Sequence, residues 1–186
     1  MNKNDSQIIQ KATWKKVVLF TVLAVFFLIL INYSSIGVAG LLKITDGANI
    51  LDFEFGYNQE EAYQMLTALG TDGRLFYLTT LLPLDVLFPF ASMLFFAGWI
   101  ALLIKYTSGK YWYKYLLLIP ILAMLFDWME NVGIIAMLIS YPDLPAWAVY
   151  LASISGMLKT IFIAGNIIVI GLLLIMFLVK KTRKKQ

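Results

Sequence analysis

The chain has 186 residues, of which 61% are hydrophobic and only 14% are charged, and its mean hydropathy is +0.80. A soluble domain is roughly 45–50% apolar and about 25% charged, so this composition indicates a single integral membrane domain over residues 1–186. Cys and His are both absent, which excludes disulfides, thiolate catalysis, the commonest zinc ligand and the commonest general base. Any chemistry would depend on Asp, Glu, Lys, Arg, Tyr, Ser or Thr, and we expect no cofactor and no metal site.

The first long apolar run follows a polar N-terminal segment that contains four lysines. It extends from Val17 to about Ile31, and more weakly to Leu42. A secretory signal peptide begins in a similar way, but this run is long and no clear small-residue cleavage site ends it. We therefore predict an uncleaved first transmembrane helix.

The segment 43–73 is the one extended polar region between apolar runs. Its stretch 51–55 alternates apolar and acidic residues, a pattern typical of a short strand or an extended interfacial segment. Asn58 and Glu61 have the spacing of a capping box, which predicts that a short amphipathic helix begins there and ends near Gly70. We expect this helix to lie on the membrane surface or to cover the bundle.

Three further apolar runs complete the predicted fold. The second run is longer than a bilayer requires, and Pro83 and Pro89 can each kink it. The four predicted spans are about 17–39, 75–104, 115–139 and 147–179. The sequence therefore predicts an all-α membrane protein, a four-helix transmembrane bundle with a short amphipathic helix between the first two spans.

The distribution of basic residues predicts the orientation. Twelve of the fifteen Lys and Arg residues lie in the N-terminal segment, in the turn at 105–114 and in the C-terminal tail. An even number of spans places these three segments on one side, and the positive-inside rule makes that side the cytoplasm. We predict a multi-pass cell-membrane protein with both termini cytoplasmic. The basic tail would contact anionic membrane lipids, and no nucleic-acid partner is expected.

Polar residues interrupt the third span near its middle. Asp127, Glu130 and Asn131 are spaced i, i+3 and i+4, so they share one helix face at about mid-bilayer depth. Lys159 lies at a similar depth in the fourth span, which predicts an ion pair with Asp127 or Glu130. Asp85, in the second span, could join them. An unpaired charge at this depth costs at least about 2.5–3.5 kcal/mol, so these groups need partners, water or protons.

These residues form a candidate functional site. Asp127 and Glu130 are candidate acid or base groups. The candidate ligand-binding residues are Arg74, Tyr77, Asp85, Asn131 and Lys159. Because three acids face one Lys at depth, at least one acid would hold a proton, and intramembrane ionisable groups are functional candidates by default. The alternative is a buried ion pair that only fixes helix register.

A set of short features extends from about Phe53 to Thr160. It comprises Gly56-Tyr57, Glu61-Ala62, Leu69-Gly70, Gly73-Arg74, Tyr77, Asp85, Phe88-Pro89, Asp127, Glu130-Asn131 and Lys159. These features resemble a group of small four-span integral membrane proteins of bacteria, and the resemblance implies a fold and a site but no reaction. In residue types alone, the chain is also similar to sterol-isomerase-like four-span domains, although the His usual in the isomerases is missing.

Three functions fit this pattern. The first is an outward-opening pocket that binds, or also transforms, a lipid-like or small amphiphilic ligand, with Arg74 and Lys159 at an anionic head group. The second is transport of protons or a small solute, which the apolar stretches 90–104 and 116–126 make difficult without an oligomer. The third is a non-catalytic membrane assembly subunit. The sequence favours the pocket, leaves open whether it is an enzyme site, and gives no indication of an oligomer.

Overall fold

A computed structural model describes residues 7–107 and 111–183, and every regular element in these two ranges is helical. The α-helices are Gln7–Gln10 (α1), Trp14–Tyr33 (α2), Val38–Ile44 (α3), Gln59–Ala68 (α4), Gly70–Phe76 (α5), Leu82–Thr107 (α6), Leu118–Ser140 (α7) and Ala146–Arg183 (α8). Short 3-10 helices lie at Leu51–Phe53 and Tyr111–Leu117, and a π-helical turn lies at Tyr77–Leu81.

Four helical segments of the described chain are long and apolar enough to cross a membrane. They are Trp14–Ile44, Gly70–Thr107, Tyr113–Ser140 and Ala146–Arg183. Each contains one of the four predicted spans, so the prediction of an all-helical protein with four candidate membrane spans is confirmed. Which end of the bundle faces the cytoplasm stays a prediction. The two ends are called the Pro142 end, after a residue in the connection between α7 and α8, and the Lys105 end, after a residue in the last turn of α6.

Helices α7 and α8 form the most extensive helix pair, and α6 packs against both of them, whereas α2 packs mainly against α6 at the edge of the bundle. Gly133 permits the close approach of α7 to α8. A Cβ atom at this position would lie 2.6 Å from the carbonyl oxygen of Ala148 and 2.9 Å from the backbone nitrogen of Ala152. Small residues at helix contacts are common in membrane proteins, where packing must replace the hydrophobic effect between helices.

The first long helix ends earlier than the apolar run predicts. It ends at Tyr33, and Ser34 takes an extended conformation while its Oγ donates a hydrogen bond to the carbonyl oxygen of Leu30. A Ser side chain that bonds to the preceding turn competes with the helical backbone pattern. The chain then passes so close to the helix end that a Cβ at Gly37 would lie 2.1 Å from the Ile31 carbonyl oxygen. The helix therefore breaks between α2 and α3 within the first candidate span, Trp14–Ile44, which contains the predicted span 17–39.

The connection between the first two spans packs into the bundle. Ile50 and Leu51 are only 2% and 0% exposed. The 3-10 turn pairs the backbone nitrogen of Phe53 with the Ile50 oxygen, and that of Glu54 with the Leu51 oxygen. A lone strand would leave these groups unpaired, so the turn is the better way to bury the segment. The prediction of a strand or extended segment is wrong here.

Helix α4 begins with the capping box that the sequence indicates. The Oδ1 atom of Asn58 accepts a hydrogen bond from the Glu61 backbone nitrogen, and Glu61 Oε2 accepts one from the Asn58 backbone nitrogen. The buried face of this region consists of Ala62, Leu66 and Leu69. The position of α4 on the outer surface of a membrane stays a prediction.

The second span contains a local widening of its helix. Pro83 has no backbone N–H, so the carbonyl of Thr79 lacks its usual partner four residues later. The π-helical turn Tyr77–Leu81 ends two residues before Pro83. Turns of this kind are frequent at functional sites, and this one begins at a predicted site residue, Tyr77.

Candidate functional site

Lys159 on α8 is surrounded by carboxyl groups from two other elements. Its Nζ atom lies 2.5 Å from Glu130 Oε2, 3.5 Å from Asp127 Oδ1 and 4.0 Å from Asp52 Oδ1. Both α7 acids therefore contact Lys159, which confirms the predicted ion pairing. We call these four residues, together with Asp85, the acid–lysine cluster.

Because Gly156 has no side chain, the Glu130 carboxyl group can pack against α8 at this position. A Cβ atom at Gly156 would lie 2.5 Å from Glu130 Oε1 and 3.1 Å from its carboxyl carbon. The carboxyl group therefore packs directly on the α8 backbone, one turn before Lys159. This arrangement buries Glu130 and directs its second oxygen to the ammonium group.

Asp52 is a member of the cluster that the sequence reasoning did not single out. It lies in the polar connection, and the insertion of Ile50 and Leu51 carries it into the bundle. There the Tyr77 hydroxyl donates a short hydrogen bond to Asp52 Oδ2. The one signal in the sequence was the position of this acid directly after apolar residues that need burial.

Replacing Tyr77 with Phe is expected to lower the free energy of unfolding by about 1.5–3 kcal/mol. The substitution removes the donor to a carboxyl group, and bonds to charged groups contribute about this much. Unfolding of the purified protein in mixed detergent micelles measures the change. Tyr150→Phe is the control, because Tyr150 is 68% exposed and we expect a change within about 0.5 kcal/mol. Equal effects of the two substitutions would contradict this role of Tyr77.

Tyr57 brings a second hydroxyl close to the cluster. Its backbone nitrogen donates a 2.8 Å hydrogen bond to Ser153 Oγ, and its own hydroxyl is buried without a hydrogen-bond partner among the described residues. Burial, and then the charges of Glu130 and Asp52, raise the pKa of Tyr57 above its ordinary value of 10.0. The hydroxyl is therefore a neutral donor next to buried acids, a role that the sequence reasoning did not assign.

Asp85 and Asn131 are linked to each other by a hydrogen bond. Asn131 Nδ2 donates a 3.4 Å hydrogen bond to the backbone oxygen of Asp85. Asp85 Oδ2 and Asn131 Oδ1 are buried and have no hydrogen-bond partner in the part of the chain that the structure describes. Six of the seven predicted site residues thus lie in or around the cluster: Tyr77, Asp85, Asp127, Glu130, Asn131 and Lys159.

The seventh predicted site residue, Arg74, makes its contacts elsewhere. Its Nη1 donates a 2.8 Å hydrogen bond to the Leu66 carbonyl oxygen, and its guanidinium carbon lies 3.9 Å from the ring centre of Tyr141. These contacts tie α4 and α5 to the connection at the Pro142 end. Arg74 therefore supports this end of the fold and leaves Lys159 as the cation of the cluster.

A cavity of about 250 Å³ reaches the cluster from the side of α2. Four cluster residues line it: Asp52, Asp85, Asp127 and Lys159. The other lining residues, all uncharged and mostly apolar, are Leu28, Ile31, Asn32, Val38, Ile50, Phe53, Leu81, Phe88 and Ile163. The cavity thus joins one charged end to largely apolar walls.

The bundle is mostly apolar between the cluster and the Lys105 end, although Asn166 on α8 is fully buried there and its side chain has no hydrogen-bond partner among the described residues. A second core consists of Ile100, Leu103, Ile104, Tyr113 and Leu173. A void of only about 10 Å³ lies beside Asp127 on this side, which is at the lower limit for one water molecule. Among the described residues, no group of three or more acids is arranged to hold a metal ion.

No protein-family model, no curated protein and no solved structure matches this chain.

Proposed function

We propose that this protein binds a lipid-like or small amphiphilic molecule in a pocket within the membrane. The observation that carries the proposal is the cavity with the acid–lysine cluster at one end and apolar side chains along its walls. Ligand sites commonly combine mostly apolar walls with a few convergent polar groups, and they occur between the helices of bundles. An amphiphile has the same division between a polar head and an apolar chain.

The route into the pocket lies on the side of α2. Leu28 lines the cavity and is also 46% exposed on the surface of the bundle. Because α2 packs mainly against α6, its other faces are free to border lipid. A molecule dissolved in the bilayer would enter here, with its chain between α2 and α8. With both termini cytoplasmic, as we propose from the basic residues, the Pro142 end faces outward.

The two candidate acid or base residues have different positions in this pocket. Asp127 lines the cavity, whereas Glu130 does not and contacts Lys159 at 2.5 Å. A reaction in this pocket would therefore use Asp127 as the acid or base, and Glu130 would hold Lys159 in place. Transport is the weaker alternative, because the core toward the Lys105 end is mostly apolar and the single buried amide of Asn166 does not make a continuous polar route.

The test is native mass spectrometry of the gently purified protein with two matched Trp substitutions. Leu28→Trp fills the mouth of the cavity, whereas Ile29→Trp places the same side chain on the neighbouring residue, which is 54% exposed and does not line the cavity. We expect a defined bound mass on the wild type and on Ile29→Trp. Leu28→Trp should retain at least about tenfold less, a difference of about 1.4 kcal/mol.

Two outcomes would overturn the proposal. One is a wild-type protein that retains no defined molecule and acquires none from added lipid extract. The other is equal retention by Leu28→Trp and Ile29→Trp. Either result would favour the non-catalytic subunit, in which the cluster only holds the helices together.

A further inference from the structure

The charged end of the cavity contains more hydrogen-bond acceptors than donors. Asp52 Oδ1, Asp85 Oδ2 and Asp127 Oδ1 are buried and accept no hydrogen bond from any described residue. All three residues line the cavity, and Asp127 is more than nine-tenths buried. A buried acceptor without a donor is costly, so these oxygens indicate that a group is to be bound here.

Lys159 is ion-paired with Asp52 and Asp127 but does not satisfy all of these oxygens. Its ammonium group has three N–H donors, and it makes its close contact with Glu130 at 2.5 Å. The 3.5 and 4.0 Å distances to Asp127 and Asp52 exceed normal hydrogen-bond lengths. Arg74 is engaged with Leu66 and Tyr141.

The charges of the acid–lysine cluster also indicate which kind of head group would bind. Four carboxyl groups, from Asp52, Asp85, Asp127 and Glu130, surround one ammonium group. A phosphate or carboxylate head group would add negative charge to a buried site that already has an excess of acids, which is unfavourable in a low-dielectric interior. A positively charged head group would reduce the excess.

We propose that the polar end of this pocket takes a protonated amine with N–H donors, carried on an apolar chain. The inference rests on the proposed function and replaces the anionic head group expected from the sequence. A primary ammonium group supplies both the positive charge and up to three donors for the unpaired oxygens. A trimethylammonium group supplies the charge without donors, so it should bind less well. Two sources could supply such a group: a free amine, or the amine head group of a bilayer lipid.

The test compares three amphiphiles of equal chain length on the full chain in phosphatidylcholine nanodiscs, whose lipid has no N–H donors. Octylamine, octyltrimethylammonium and octyl phosphate are titrated, and the bound mass is read by native mass spectrometry. We expect octylamine to saturate at one per chain and to bind at least about tenfold more tightly than octyltrimethylammonium. Octyl phosphate should bind wild type and Leu28→Trp equally.

Two substitutions locate the amine within the pocket. Asp85→Asn and Asp52→Asn each keep the shape of the side chain and remove its charge, and each should weaken octylamine binding by about tenfold. The exposed acid Glu60, on α4, provides the control Glu60→Gln, which should leave binding unchanged. Equal binding by the wild type and both Asn variants would overturn the assignment of these acids as the amine site.

The outcomes separate this inference from the function on which it rests. If octyl phosphate or octyltrimethylammonium binds the wild type as tightly as octylamine and Leu28→Trp abolishes that binding, the pocket stands and the amine inference is wrong. If none of the three binds the wild type better than Leu28→Trp, the proposed pocket itself is wrong. Added phosphatidylethanolamine that displaces octylamine identifies a bilayer aminolipid as the source, and failure to displace it identifies a free amine.

Discussion

Replacement of Lys159 with Met is expected to reduce the free energy of unfolding by about 3–5 kcal/mol. Removing one partner of a buried ion pair leaves the other partner uncompensated, and losses of this size are usual. Here the loss affects three carboxyl groups within 4.0 Å of the ammonium. Met has a similar length and flexibility, so the packing of α8 changes little and the loss of charge dominates.

Two further variants identify the cause of that loss. Lys181→Met makes the same change at an exposed position of the same helix and should shift the free energy by less than about 0.5 kcal/mol. Adding Glu130→Gln to Lys159→Met should recover part of the loss, because the charge closest to the missing ammonium is then removed as well. A coupling energy of about 0.5–3 kcal/mol between the two sites is expected for residues in contact.

Unfolding in mixed detergent micelles measures five proteins under one condition: the wild type, Lys159→Met, Lys181→Met, Glu130→Gln and the double variant. If Lys159→Met is as stable as Lys181→Met, the cluster is not the buried charge network described here. If the double variant loses the sum of the two single losses, Glu130 and Lys159 do not act as a pair.

The part of the site that the sequence predicts is the part that depends on regular helices. Helical spacing places Asp127, Glu130 and Asn131 on one face without any knowledge of the tertiary fold. Counting residues along two antiparallel spans then brings Lys159 to the same depth. These inferences need only the rise and period of a helix.

Asp52 and Tyr57 were beyond this reasoning, and the contacts of Arg74 differ from the predicted ones, because all three depend on how the connection folds back onto the bundle. The sequence shows a polar segment, and polar segments between spans usually face water. The structure instead buries Ile50 and Leu51 in the bundle, which brings Asp52 to Lys159. Long-range contacts of this kind follow from packing, and a local pattern does not contain them.

These contacts also change the charge of the residues that line the pocket. Arg74 and Lys159 together would make a site for an anion, and this was the expectation from the sequence. With Arg74 on Tyr141 and Asp52 on Lys159, the cavity is lined by three acids and one base. The same residues at slightly different positions therefore favour a ligand of the opposite charge.

Gly133→Ala tests the helix contact that holds this site together. The added Cβ would lie 2.6 Å from the Ala148 carbonyl oxygen and 2.9 Å from the Ala152 nitrogen. Backbone atoms cannot rotate away as a side chain can, so α7 and α8 must move apart. Overpacking of this kind typically costs about 1–3 kcal/mol. We also expect a shift of Glu130, one turn away, from its place against Gly156.

Gly171→Ala is the matched control for this substitution. It lies within α8, and a Cβ there meets no atom within 4 Å. Ala is favoured over Gly inside a helix by roughly 0.5–1 kcal/mol, so Gly171→Ala should be as stable as the wild type or more so. If Gly133→Ala were equally stable, the α7–α8 contact would be looser than the structure has it. Glu130 and Lys159 face each other across that contact. We therefore expect Gly133→Ala to lose amine binding and Gly171→Ala to keep it. This result would show that the site depends on the packing of α7 against α8.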